Sequence, residues 1–113
     1  MGELSDDSVY DQQADLCKVF SNAKRLKLLE LLKEGEEYTV SELQEASDIP
    51  QSTVSRHLKL MRDRGVVRKR NDGVHNYYAL ADERIATSMD LMREILFDQI
   101  DRERELASTS HRD

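Results

Sequence analysis

One cysteine, Cys17, stands alone among 113 residues. It allows no intrachain disulfide and cannot by itself build a multi-cysteine metal site. Three histidines lie far apart, four glycines form no phosphate-cradling loop, and no serine or cysteine sits in a nucleophile motif, so the chain has none of the usual marks of an enzyme. No apolar run approaches the ~18 residues of a membrane span, and the N-terminus lacks the basic start and apolar stretch of a secretory signal. The expected location is the cytoplasm, with no membrane partner. Proline is also scarce, and the single Pro50 falls where the helical pattern breaks and restarts.

What is abundant is charge, and it is unevenly placed. The formal net charge is −6, yet residues 56 to 75 hold seven Lys or Arg against Asp63 and Asp72, which makes that stretch +5 and leaves −11 elsewhere. Segregation of this kind suggests a polyanion partner for one surface, with a solvated charged face as the plain alternative. The length fits one domain over residues 1 to 113, and 38% apolar content with clear periodicity argues for a folded chain. Residues 1 to 8 and 107 to 113 read as loose tails.

A first helix is expected from near Asp11 to about Ser21, with Leu16, Cys17 and Phe20 on one side. Asn22 caps a second, "AKRLKLLELLKEG", whose apolar face is Leu28, Leu29, Leu31 and Leu32 and whose stop is Gly35. Thr39 and Glu42 form a capping-box pair ahead of "VSELQEAS", a third helix with Val40, Leu43 and Ala46 inward. A fourth starts at Pro50 and ends at Arg64, with Gly65 as terminator. On it Val54, Leu58 and Met61 fall within about 60° of one another, opposite Ser52, Arg56, Lys59 and Asp63. "VVRKR" and "VHNYYAL" then read as two strands joined by the three-residue turn "NDG", with Gly73 in the left-handed region. A last helix follows Asp82 and repeats Ile85, Met89, Met92, Leu96 and Ile100 at steps of four, three, four and four. Such a stripe exceeds what a small core needs, so it calls for subunit contact.

The predicted fold is therefore mainly α with a small β-hairpin, an α+β winged helix-turn-helix. A helix fits the major groove, where side chains of its N-terminal half reach base edges, and a hairpin bearing Arg68, Lys69 and Arg70 can follow phosphates or enter the minor groove. At "FSNAKRLKLLELL", "VSELQEASDIPQSTVSRHLKLMRDRGVV" and "RNDGVHNYYAL" the sequence resembles the arsenic-repressor-like (ArsR-type) winged-helix transcription regulators over roughly residues 14 to 100. The resemblance implies a homodimer joined through its first and last helices, with the two fourth helices in successive major grooves of a pseudo-palindromic double-stranded operator. The family's base-contacting positions correspond to Gln51, Ser52, Thr53, Ser55 and Arg56, with Lys59 and the wing on phosphates. Arg25 is a weaker phosphate candidate.

Many regulators of that family respond to metals, and here the matching positions are poor in ligands. Where one family site has thiols, this chain has Thr39 and Ser41, and hydroxyls bind soft metals poorly. Another site needs histidine on the last helix, which offers only Asp90, Glu94 and Asp98, a stripe that reads as solvated. No metal and no cofactor are expected. Cys17, beside Leu16 and Phe20, reads first as a buried structural thiol and second as a candidate redox sensor near the dimer seam. His57 reads as a packing or hydrogen-bonding residue. Asp48 stands where the family has glycine in the turn, and Ser47 where it has an apolar residue. The function that follows is a dimeric, sequence-specific DNA-binding regulator, a repressor by resemblance, without the usual metal sites. A protein-contact winged helix and a non-specific architectural DNA binder are the alternatives.

Overall fold

A computed structural model describes residues 6–34 and 37–110. The chain divides into two compact units, Met1–Asp82 and Glu83–Asp113. The first contains α1 (Asp6–Lys18), α2 (Ala23–Leu32), α3 (Val40–Ser47), α4 (Gln51–Asp63), β1 (Val67–Asp72) and β2 (His75–Leu80). The second contains α5 (Glu83–Ser110). Among the described residues, these helices and the antiparallel hairpin are those of a winged helix-turn-helix.

The core of the first unit is built almost wholly from apolar side chains. Leu28, Leu29 and Leu32 from α2, Leu43 from α3, and Val54, Leu58 and Met61 from α4 are all at most 1% exposed, and Val66 and Val67 close the hairpin base over them. The periodicity of α2 and α4 dictates this: leucine and methionine at helical spacing put one continuous face inward. Each helix end has a local cause. Asn22 Oδ1 accepts the Arg25 amide at 3.0 Å and caps α2. Thr39 Oγ1 accepts the Glu42 amide at 3.2 Å while Glu42 Oε1 accepts the Thr39 amide at 2.9 Å, which completes the capping box of α3. α4 ends in a Schellman turn: Gly65, at φ 75°, donates to Arg62 O, and Val66 donates to Met61 O. The Gly35 stop expected for α2 lies outside the described residues.

Several expectations shift. α1 begins at Asp6, so residues 6 to 8 form its first turn, and α5 continues through residues 107 to 110, where loose tails are expected. Asp7 in the first turn of α1 suits a helix N-terminus, because that turn presents unpaired amides. On α3, Ala46 is exposed and Ser47 is the buried residue, at 1% exposure. Its hydroxyl accepts the Ile49 amide at 3.1 Å, so a polar side chain fits an apolar position by satisfying the turn backbone. Ser47→Ala should therefore leave a buried amide without its acceptor and destabilise the fold by about 1–2 kcal/mol, read as a lower urea midpoint at unchanged slope.

The hairpin turn also differs. Asp72 pairs with His75, so the loop is the two residues Gly73 and Val74 rather than "NDG". Gly73 lies at φ 62° in the first central position, the Gly-first pattern of a type II′ turn. The α2–α3 connection adds a third edge to this ribbon: Tyr38 and Tyr78 exchange two backbone hydrogen bonds, at 2.9 and 2.8 Å.

In the second unit, Ile85, Met89 and Ile100 of the predicted stripe are half-buried, while Met92 and Leu96 are exposed along with Leu91, Ile95 and Phe97. No described helix is long and apolar enough to cross a membrane.

Candidate nucleic-acid interface

The turn before α4 decides what that helix presents. Asp48 closes α3 in the left-handed region at φ 62°, and its amide donates to Gln44 O. Aspartate tolerates this conformation better than most residues, so the tight turn forms without the glycine usual there. Pro50 then starts α4 with its fixed φ of −55°. Because Val54, Leu58 and Met61 are locked in the core, the helix has one available rotation. That rotation leaves Gln51, Ser52, Ser55, Arg56 and Lys59 exposed and Thr53 half-buried.

The exposed side chains are held by weak, exchangeable contacts. Arg56 Nη2 donates to Thr53 Oγ1 at 3.3 Å, and Lys59 Nζ lies 3.2 Å from Asp63 Oδ2 one turn on. Both members of the second pair are well exposed, so the pair holds little energy in water and can be given up. Gln and Arg have the forked donors suited to base edges, whereas the short hydroxyls can reach bases or phosphates.

On the wing, Arg68, Lys69 and Arg70 are exposed on β1. Arg70 stacks over the Tyr77 ring, 4.7 Å from its centroid. Two of the three cations are not free. Glu37, absent from the sequence-based site, takes Arg70 Nε at 2.9 and 3.2 Å on its two oxygens and lies 3.8 Å from Arg68 Nη1. The Arg70 hydrogen bond holds the Glu37 carboxyl below its ordinary range, and the same bond pushes the Arg70 guanidinium up. Sequence spacing carried no signal for this, since the partners are 33 residues apart.

Arg25 is placed differently from the phosphate-contact expectation. Its Nε and Nη2 donate to Val19 O and Lys18 O at 2.9 and 3.0 Å, closing the C-terminus of α1. Its Nη1 lies 3.4 Å from His57 Nδ1, so the arginine joins the α1–α2 turn to α4. His57 is half-buried, in keeping with a packing or hydrogen-bonding residue. Desolvation first, then the charges of Arg25, Arg56 and Lys24, lower its pKa below 6.5. The folded state thus favours the neutral ring. As pH falls below about 6.5 the unfolded chain takes up a proton that the folded chain resists, so stability should drop with pH across that window. Urea midpoints at about pH 7.5 and 5.5 should separate for the wild type, and the gap should narrow in His57→Gln.

Cys17 is exposed, against the buried reading. The first unit takes Val19 into its core instead, so the residue beyond the helix end, not the stripe on α1, anchors this segment. Among the described residues no group of three or more His, Cys, Asp or Glu could hold a metal ion. Thr39 is occupied in the capping box, and Asp90, Glu94 and Asp98 are exposed. An open groove of about 690 Å³ beside the turn is lined by Ser41, Gln44, Glu45, Asp48, Ile49 and Pro50. It has acids and no cation, so it does not suit an anionic ligand.

The profile of the arsR family of bacterial regulatory proteins matches residues 22–69, the span from the α2 cap into β1. A transcriptional regulator of the helix-turn-helix type from Methanocaldococcus jannaschii is 31% identical over 86 residues, 76% of this chain and 97% of that protein. The chain belongs to the arsR family. The transcriptional repressor PagR of Bacillus anthracis is 33% identical over 75% of this chain and 85% of its own length. Among solved structures, the homodimeric winged helix-turn-helix DNA-binding domain of Mycobacterium bovis superposes with a TM-score of 0.77 at 28% identity, covering 90% of this chain and 95% of that one. This ArsR-family chain is thus a DNA-binding transcription regulator whose exposed α4 face and wing are its candidate DNA-contacting elements.

Proposed function

We propose that this ArsR-family regulator represses transcription as a homodimer on a two-fold symmetric operator, working in the cytoplasm and without catalytic activity. Gln51, Ser52, Thr53, Ser55 and Arg56 contact the major groove, and Lys59, Arg68, Lys69 and Arg70 contact phosphates. The observation that carries this reading is the division of α4: Val54, Leu58 and Met61 are at most 1% exposed while Gln51, Ser52, Ser55 and Arg56 on the other side are open to solvent. A helix whose polar face is fixed in rotation by its core face can present a constant set of donors to a groove. Dimer formation is supported by the exposed apolar side chains of α1 (Val9, Tyr10, Leu16) and, separately, of α5, and by the homodimeric state of the Mycobacterium bovis relative. Repression is supported by relatives such as PagR.

Selection of bound sequences from a random duplex library, followed by fluorescence anisotropy of the winners at two salt concentrations, tests the proposal. A two-fold consensus with half-sites about one helical turn apart is the expected result. Salt-sensitive binding without a consensus would replace it with an architectural role, and no binding at moderate salt would replace it with a protein-contact role.

A further inference from the structure

Glu37 belongs to neither the helix-turn-helix nor the hairpin, yet it sits on the wing. The Tyr38–Tyr78 backbone bridge explains how: it fastens the α2–α3 connection to the free edge of β2, one residue from Glu37. On the hairpin itself Ala79 is paired with Arg68 and Tyr77 with Arg70. Strand alternation puts Arg68, Arg70, Tyr77 and Ala79 on one face. Ala79 is small and 4% exposed, so the Glu37 side chain can pass over β2 to both arginines on β1.

Resting on the DNA-binding reading above, we infer that Glu37 is an internal competitor for the wing's phosphate contacts, an affinity-setting residue that DNA must displace from Arg68 and Arg70. The two Glu37 oxygens share the Arg70 Nε–H, and one of them lies 3.8 Å from Arg68 Nη1, so a carboxylate stands with the charge of a backbone phosphate where these guanidiniums would meet one. Binding a duplex therefore exchanges one anion for another at Arg70 instead of adding one. The displaced carboxylate also stays beside the phosphates and cancels part of the wing's charge. The wing then adds less to sequence-independent attraction than its three cations suggest, while the base-facing groups of α4 are untouched. A fold-holding role does not account for the contact, because exposed ion pairs of this kind contribute little to stability.

Glu37→Gln keeps the side chain's size and removes its charge. Anisotropy on a random-sequence duplex, across a salt series, should show binding tightened by about 3- to 10-fold at ~0.1 M salt and a log–log salt slope steeper by about one unit. In an Arg68→Gln, Arg70→Gln background the competition is gone and only the carboxylate's direct repulsion of phosphate remains, so the same substitution should tighten binding by less than about 2-fold. Unchanged or weaker binding by Glu37→Gln in the otherwise wild-type chain would overturn the inference alone and make Glu37 an orienting partner or a bystander. So would a gain that is equally large without the arginines. If the wild-type protein binds no duplex at all, the DNA reading falls and the inference falls with it.

Discussion

Arg56→Ala should weaken binding to the selected operator by roughly 30- to 10⁴-fold, because a bidentate base contact is worth about 1–3 kcal/mol and a symmetric dimer loses two of them. The same substitution should flatten the base preference at one position of each half-site while leaving binding to random duplex nearly unchanged. Arg56 is exposed and, among the described residues, its hydrogen bond is to Thr53 Oγ1, one turn away on the same helix, so the fold has little stake in it. Competition anisotropy with operators permuted at each position separates the two quantities. A uniform loss on all sequences would instead make Arg56 a phosphate contact, and the specificity would then have to come from Gln51 and the hydroxyls.

Leu96→Asp on α5 should convert the protein to a monomer and lower operator affinity by about 10²- to 10⁴-fold, the avidity of two linked half-site contacts. Leu96 is 49% exposed and lies among Met92, Ile95 and Phe97, which are 66%, 51% and 55% exposed. Met92 and Leu96, one turn apart and about 40° from each other around the helix, share an apolar face that association would bury. A carboxylate costs little at a position 49% exposed in the single chain and much when an interface desolvates it, so the substitution acts on assembly more than on the fold. Sedimentation velocity reads the mass, and circular dichroism checks that helix content is retained. A variant that stays dimeric would move the contact to another surface.

Sequence alone carried the helix-turn-helix a long way, because its logic is local. The spacing of Val54, Leu58 and Met61 fixed which side of α4 faces out, and the Thr39–Glu42 box and Gly65 marked helix ends whose partners lie within five residues. Hydrogen-bond and periodicity rules act over such distances, so a one-dimensional pattern contains them. Smaller local details went astray where two turn geometries compete for the same residues: Gly73 serves a two-residue loop, not a three-residue one.

The sequence by itself determined the fold class, the side of α4 that faces out, the basic wing and the apolar stripe along α5. Only the tertiary structure decided how the charges are used. It joined Glu37 to Arg70, turned Arg25 inward to the end of α1 and toward His57, gave the buried Ser47 hydroxyl to the Ile49 amide, and left Cys17 in water. The ion pair and the Arg25–His57 contact join residues more than thirty positions apart, brought together by core packing and by the Tyr38–Tyr78 bridge. Charge counted along a chain is indifferent to such closures, since electrostatics depends on distance in space.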